Sequence, residues 1–174
     1  MKKSIYFAGK FRLCPGKQLP LDQRLTEDFR ARLLGMPERL VRYDPDLTVM
    51  EQFHYAGPFY CEQASEGVYT STDCVTVLTA ERQSVERCDI YVAVFSESFS
   101  VGTVVELGWA IELDKTIVIL YQPQESSYSI ASEYWFAIAD ALKRGRQVKV
   151  ATYREDAEIP DLLRSLLTAI EADS

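Results

Sequence analysis

The chain has 174 residues, 47% apolar and 26% charged, enough for a single domain whose core needs neither metal nor disulfide staples. Only 8 glycines and 7 prolines are present, which excludes a disordered, collagenous or linker-like chain. The 26 acidic residues outnumber the 19 basic ones for a formal charge of -7, and the basic residues are dispersed apart from Lys2, Lys3 and the group Lys143, Arg144, Arg146. A polymeric nucleic acid is therefore not an expected partner, whereas a single small anion at a helix start or an arginine is.

In chain order, Ser4–Gly9 is a short apolar run ending in glycine and reads as an opening parallel strand. A loop over residues 10–20 precedes a helix over residues 22–36, with Leu25, Phe29, Leu33 and Leu34 as its apolar stripe. Residues 40–67 interleave Tyr43, Phe53, Tyr55, Phe59 and Tyr60 with Pro45, Gly57 and Pro58, and read as extended segments with a functional or dimer-forming loop. Ser71, Thr72 and Asp73 can cap a helix running to Arg87, with Val77, Leu78, Glu81 and Val85 near one face. Glu81 is out of place on that face.

Residues 89–95 form the clearest strand, followed by a polar loop over 96–102 and a helix over 103–113. Thr116–Tyr121 is a further buried strand, residues 131–143 a helix, residues 148–153 a strand, and Ile159–Ala172 the last helix, with Pro160 in its first turn. Alternating strands and helices of this kind build a three-layer α/β domain around a parallel sheet covered on both faces. Ligands in such sheets sit beyond the carboxyl ends of the strands, which directs attention to residues 9–12, 96–106 and 121–124.

Neither GxGxxG nor GxxxxGK[ST] occurs, so a generic dinucleotide or P-loop site has no motif, and the single histidine, His54, cannot anchor a triad or a metal set. Cys14, Cys61, Cys74 and Cys88 contain no close pair and read as free thiols of a reducing compartment. With no signal-like or membrane-length apolar segment, the expectation is a cytoplasmic protein without membrane association, metal or cofactor.

The polar exceptions cluster at one place. In Ser100-Val101-Gly102-Thr103-Val104-Val105-Glu106-Leu107-Gly108-Trp109-Ala110, Thr103 as N-cap and Glu106 three residues on form a capping box. Alternatively Glu106, flanked by Val105 and Leu107, points into the rim crevice. There a carboxylate near a helix start suits a nucleophile or a stabiliser of a cationic sugar.

Tyr6-Phe7-Ala8-Gly9, Cys88-Asp89-Ile90-Tyr91-Val92-Ala93, residues 102–110 and Lys115-Thr116-Ile117-Val118-Ile119, in this order, resemble the nucleoside 2-deoxyribosyltransferase superfamily, including its nucleotide N-glycosidase relatives. The resemblance implies a Rossmann-like or flavodoxin-like α/β domain over residues 1–174, with a five-stranded, mainly parallel sheet. It implies Glu106 as the nucleophile that attacks the anomeric carbon, and Tyr6 as the tyrosine positioning nucleophile or sugar. Glu81 stands where the family often places an aspartate, eight residues before Asp89, and as an acid one methylene longer it can assist the leaving base with altered reach, while Gly9 stands where a glycine lets the first loop approach the ligand. Asp89 opens the next strand as a ligand-side or supporting carboxylate.

Two departures matter. Lys10 replaces the usual proline, and Ser100 replaces the aspartate that transferases carry six positions before the nucleophile. Nucleotide-hydrolysing relatives use serine in that region against a 5′-phosphate, so Ser98, Ser100 and the backbone of Gly102 form a candidate anion cradle. Phe11, Arg12 and Tyr55 are candidate neighbours of base or phosphate. The expected activity is hydrolysis of the N-glycosidic bond of a nucleoside 5′-monophosphate or related nucleoside. Base exchange by a 2-deoxyribosyltransferase and non-catalytic nucleotide sensing are the alternatives. The resemblance also implies a homodimer or larger homo-oligomer, for which the stretch from His54 to Tyr60 is suited.

Overall fold

The computed structural model describes residues 2–9, 43–46, 48–57, 71–95, 101–123 and 147–173. Within them, five strands form one parallel sheet: β1 (Ser4–Gly9), β2 (His54–Gly57), β3 (Ile90–Phe95), β4 (Thr116–Tyr121) and β5 (Val148–Thr152), in the order β2-β1-β3-β4-β5. β1 and β3 read as unbroken apolar runs because both of their faces are covered. Successive side chains then part to opposite faces. Ile5, Phe7, Ile90, Val92, Val94, Val118 and Leu120 point one way, and Tyr6, Ala8, Tyr91, Ala93, Phe95, Ile117 and Ile119 the other.

The first face packs against Tyr43, the short helix α1 (Thr48–Gln52) through Val49, Phe53, and the helix α4 (Ile159–Ala172). Ile159, Leu163, Leu167 and Ile170 recur at spacings of three and four and form the buried stripe of α4, whose ends lie where the sequence pattern puts them. The second face is covered by α2 (Ser71–Arg87) and α3 (Val101–Glu112), through Val85, Leu107, Ala110 and Ile111. The result is the three-layer Rossmann-like or flavodoxin-like α/β arrangement.

Several expectations need correction. Within residues 40–67, α1 and the edge strand β2 appear, too short for periodicity to reveal. Tyr55 is a core residue, stacked on Phe7 with ring centroids 6.1 Å apart, and does not face the rim as a ligand neighbour. On α2, Leu78 is 50% exposed and lies with Val75 and Arg82 on the outer side, because Ser84, Val85 and Cys88 take the inward line. α3 begins at Val101, so Thr103 lies inside its first turn and is not its N-cap. The expected helices over 22–36 and 131–143 lie outside the described residues.

Candidate active site

In this strand order the connections after β1 and β3 depart toward opposite sides, and the gap between the carboxyl ends of these strands is where α/β sheets take ligands. Two polar side chains meet on the face covered by α2 and α3, three residues before β1 ends at Gly9. Tyr6, fully buried on β1, donates its hydroxyl to Oε1 of Glu106 on α3 at 2.8 Å. Glu106 is itself only 6% exposed. A carboxylate so placed loses hydration, and a charge-assisted hydrogen bond recovers part of that cost.

Glu106 is the sixth residue of α3, beyond the first turn in which the helix dipole and a capping box act. The expected support from the helix start is therefore weak, and the tyrosine hydroxyl supplies it instead. Tyr91 on β3 pairs in register with Tyr6 and stacks on it, with ring centroids 5.8 Å and planes 14° apart. Its hydroxyl donates to the main-chain carbonyl of Thr103 at 2.9 Å. Two stacked tyrosines on adjacent strands thus hold α3 at successive points, one through its backbone and one through the carboxylate.

Burial, followed by the negative charges of Glu106 and Glu81 and the hydrogen bond to Glu106, raises the Tyr6 pKa well above the ordinary tyrosine value. The phenol therefore stays protonated and remains a donor. Glu81, half-buried on α2, is close enough for its charge to act on Tyr6. Tyr6, Glu81 and Glu106, all named from the sequence, thus share one neighbourhood.

Gly9 has φ +155°, and a Cβ there would lie 2.0 Å from the hydroxyl oxygen of Tyr43. That hydroxyl reaches the carbonyl of Ala8 at 3.4 Å. Within the described residues, the space kept open by this glycine is filled by Tyr43, a reason for glycine that the sequence did not reveal. Asp89 lies at the amino ends of the strands, where its Oδ2 accepts from Ser4 N at 2.7 Å and Ser4 Oγ at 2.8 Å. The length of β1 separates it from Gly9, about 16 Å at the rise of a strand, so Asp89 ties the sheet at the end away from the carboxyl-end rim.

Gly102 is exposed in the first turn of α3, and no described neighbour would lie within 4 Å of a Cβ built there. Phe11, Arg12, Ser98 and Ser100 lie outside the described residues. The half-buried Trp109 carries the Arg82 guanidinium 5.6 Å from its ring centre, and Arg82 also pairs with Glu86. Cys88 is a buried free thiol pushed up to about 12 by desolvation. No cluster of His, Cys, Asp and Glu among the described residues could hold a metal, and no described helix is long and apolar enough to cross a membrane. Tyr91 is a supporting residue that the sequence reading did not assign to the site. For Tyr91 the available signal was its place as the second residue of β3, where pairing with β1 sets it beside Tyr6.

No protein-family model and no curated protein matches the chain. Among solved structures it is similar to that of the Clostridium botulinum CMP N-glycosidase BcmB, at 16% identity over 93% of this chain and 99% of that one, with a TM-score of 0.49. It is also similar to the solution structure of BlsM, at 20% identity over 98% of this chain and 94% of that one, with a TM-score of 0.50. The likeness to BlsM is one of fold, carried across nearly the whole chain.

Proposed function

We propose that this protein cleaves the N-glycosidic bond of a nucleoside 5′-monophosphate or a related nucleoside through a glycosyl intermediate on Glu106. The observation that carries this reading is the buried Glu106 carboxylate on α3, gripped by the Tyr6 hydroxyl of β1. A carboxylate withdrawn from water but oriented by a donor is costly to maintain for packing alone, and it matches what a cationic anomeric centre requires.

In the first step a Glu106 oxygen bonds to C1′ as the C1′–N bond breaks and its electron pair passes to the base. Glu81, or a proton already on the base, neutralises the departing nitrogen. In the second step a water oxygen bonds to C1′, the ester to Glu106 breaks, and the water's proton passes to Glu81 or to the free base. Tyr6 keeps its own proton throughout and orients the carboxylate. Ser98, Ser100 and the Gly102 backbone are assigned to the 5′-phosphate, with Phe11 and Arg12 beside the base or phosphate. A homo-oligomer that covers the crevice belongs to the same reading.

The test is release of free base and sugar phosphate from ribo- and deoxyribonucleoside monophosphates by the wild type and by Glu106→Ala. Release by the wild type alone is expected, and equal release by both proteins would remove Glu106 from the covalent role. Ser100→Asp is expected to weaken phosphorylated substrates selectively. Capture of the sugar by an added free base would identify base exchange, and binding of nucleotide without turnover would identify a sensor.

A further inference from the structure

We propose that Gly57 is a positioning residue for the Tyr6–Glu106 pair, acting through the side chain it lacks. In its catalytic consequence the assignment rests on the function proposed above; in its geometry it does not. β2 pairs with β1 as Ser4 with His54 and Ile5 with Tyr55, and then skips Ala56 so that Tyr6 faces Gly57. The extra residue bends the edge strand and delivers Gly57, at φ +147°, against the Tyr6 ring. A Cβ at this position would lie 2.8 Å from Cβ of Ser84 and 3.0 Å from both Cδ2 and Cε2 of Tyr6.

The glycine is therefore the spacer between the edge of the Tyr6 ring and α2. Ser84 is buried and follows Glu81 by three residues, so the depth at which α2 seats on Gly57 also sets the approach of Glu81 to Tyr6. The Tyr6 ring is fully buried and backed by Tyr91. A methyl group on residue 57 would have to displace either the ring or the helix. Displacing the ring lengthens the 2.8 Å hydrogen bond to Glu106, and hydrogen bonds weaken steeply away from optimal geometry.

The experiment compares Gly57→Ala, Ser84→Gly and the double variant in two ways. Tyrosines labelled with carbon-13 at Cζ, with the Tyr6 signal identified by Tyr6→Phe, report by NMR titration whether Tyr6 ionises with ordinary tyrosines or above them. Turnover of nucleoside monophosphates reports kcat and KM separately. In Gly57→Ala the Tyr6 titration is expected to move toward the ordinary range, with kcat down by about tenfold or more and KM little changed, as loss of a hydrogen bond to a charged group predicts.

Ser84→Gly in the Gly57→Ala background relieves the clash with α2 but leaves the one with Tyr6. It is expected to recover only part of the thermal stability, since the strain of an alanine at φ +147° remains, without recovering either signature, and it carries the test if Gly57→Ala alone does not fold. A wild-type Tyr6 titration in folded Gly57→Ala, or recovery of both signatures in the double variant, would overturn the assignment. A wild type without turnover would remove the proposed function, while the titration would still decide the role of Gly57.

Discussion

Tyr6 does two jobs with separable consequences. Its ring stacks on Tyr91, and its hydroxyl holds Glu106. Tyr6→Phe keeps the first and removes the second, so kcat for base release should fall about 10- to 100-fold, the worth of a hydrogen bond to a charged group, while KM changes less. Equal kcat in the two proteins would deny the hydroxyl its orienting role. The phenol also links stability to pH. An unfolded tyrosine loses its proton near pH 10, but Tyr6 in the fold does so well above its ordinary value. Above about pH 10 the native state therefore binds more protons than the unfolded state, and stability falls as pH rises. Urea unfolding of Tyr6→Phe across this range should show a shallower fall.

At the scale of elements, α1 is too short to hold itself together and depends on its start. Asp44, fully buried, accepts from the backbone N–H groups of Val49 and Met50, each at 3.0 Å. Burial raises its pKa while these two hydrogen bonds pull it down. Asp44→Ala removes both acceptors and should cost about 1–2 kcal/mol in urea unfolding. The amino edge of the sheet is tied in a similar way by Asp89 and Ser4, on a more exposed surface. There Asp89→Ala should cost about 1 kcal/mol and leave the KM for nucleotides unchanged. A raised KM would return Asp89 to the binding site.

For the whole molecule, the two faces of the sheet carry different duties. The face under α1 and α4 is mainly apolar, with Asp44 buried at the start of α1, whereas the face under α2 and α3 combines packing with Tyr6, Glu106 and Cys88. The Cys88 thiol, pushed up from 9.0 to about 12 by burial, keeps its proton in the fold after the unfolded chain would lose it. Its stabilising contribution is complete below pH 9 and lost as pH rises toward 12. Cys88→Ala should therefore flatten the dependence of the urea midpoint on pH between 9 and 12, whatever its effect at neutral pH. An unchanged slope would place the titration elsewhere.

Local pattern was sufficient for the layered fold. Apolar runs such as Ile90–Phe95 and Thr116–Tyr121 must be covered on both faces, and the three-and-four spacing in Ile159–Ala172 marks a helix with one buried side. It also exposed Glu106 and Glu81 as acids among apolar neighbours. Tertiary structure alone decided that Tyr6 grips Glu106 across 100 residues, that Gly9 leaves room for Tyr43, that Gly57 separates Tyr6 from Ser84, and that Asp89 sits at the far end of the strands. The reason is physical: periodicity reports which face of an element is buried. Which side chains then meet depends on the register between strands distant in the chain, where a shift of one residue reverses every face.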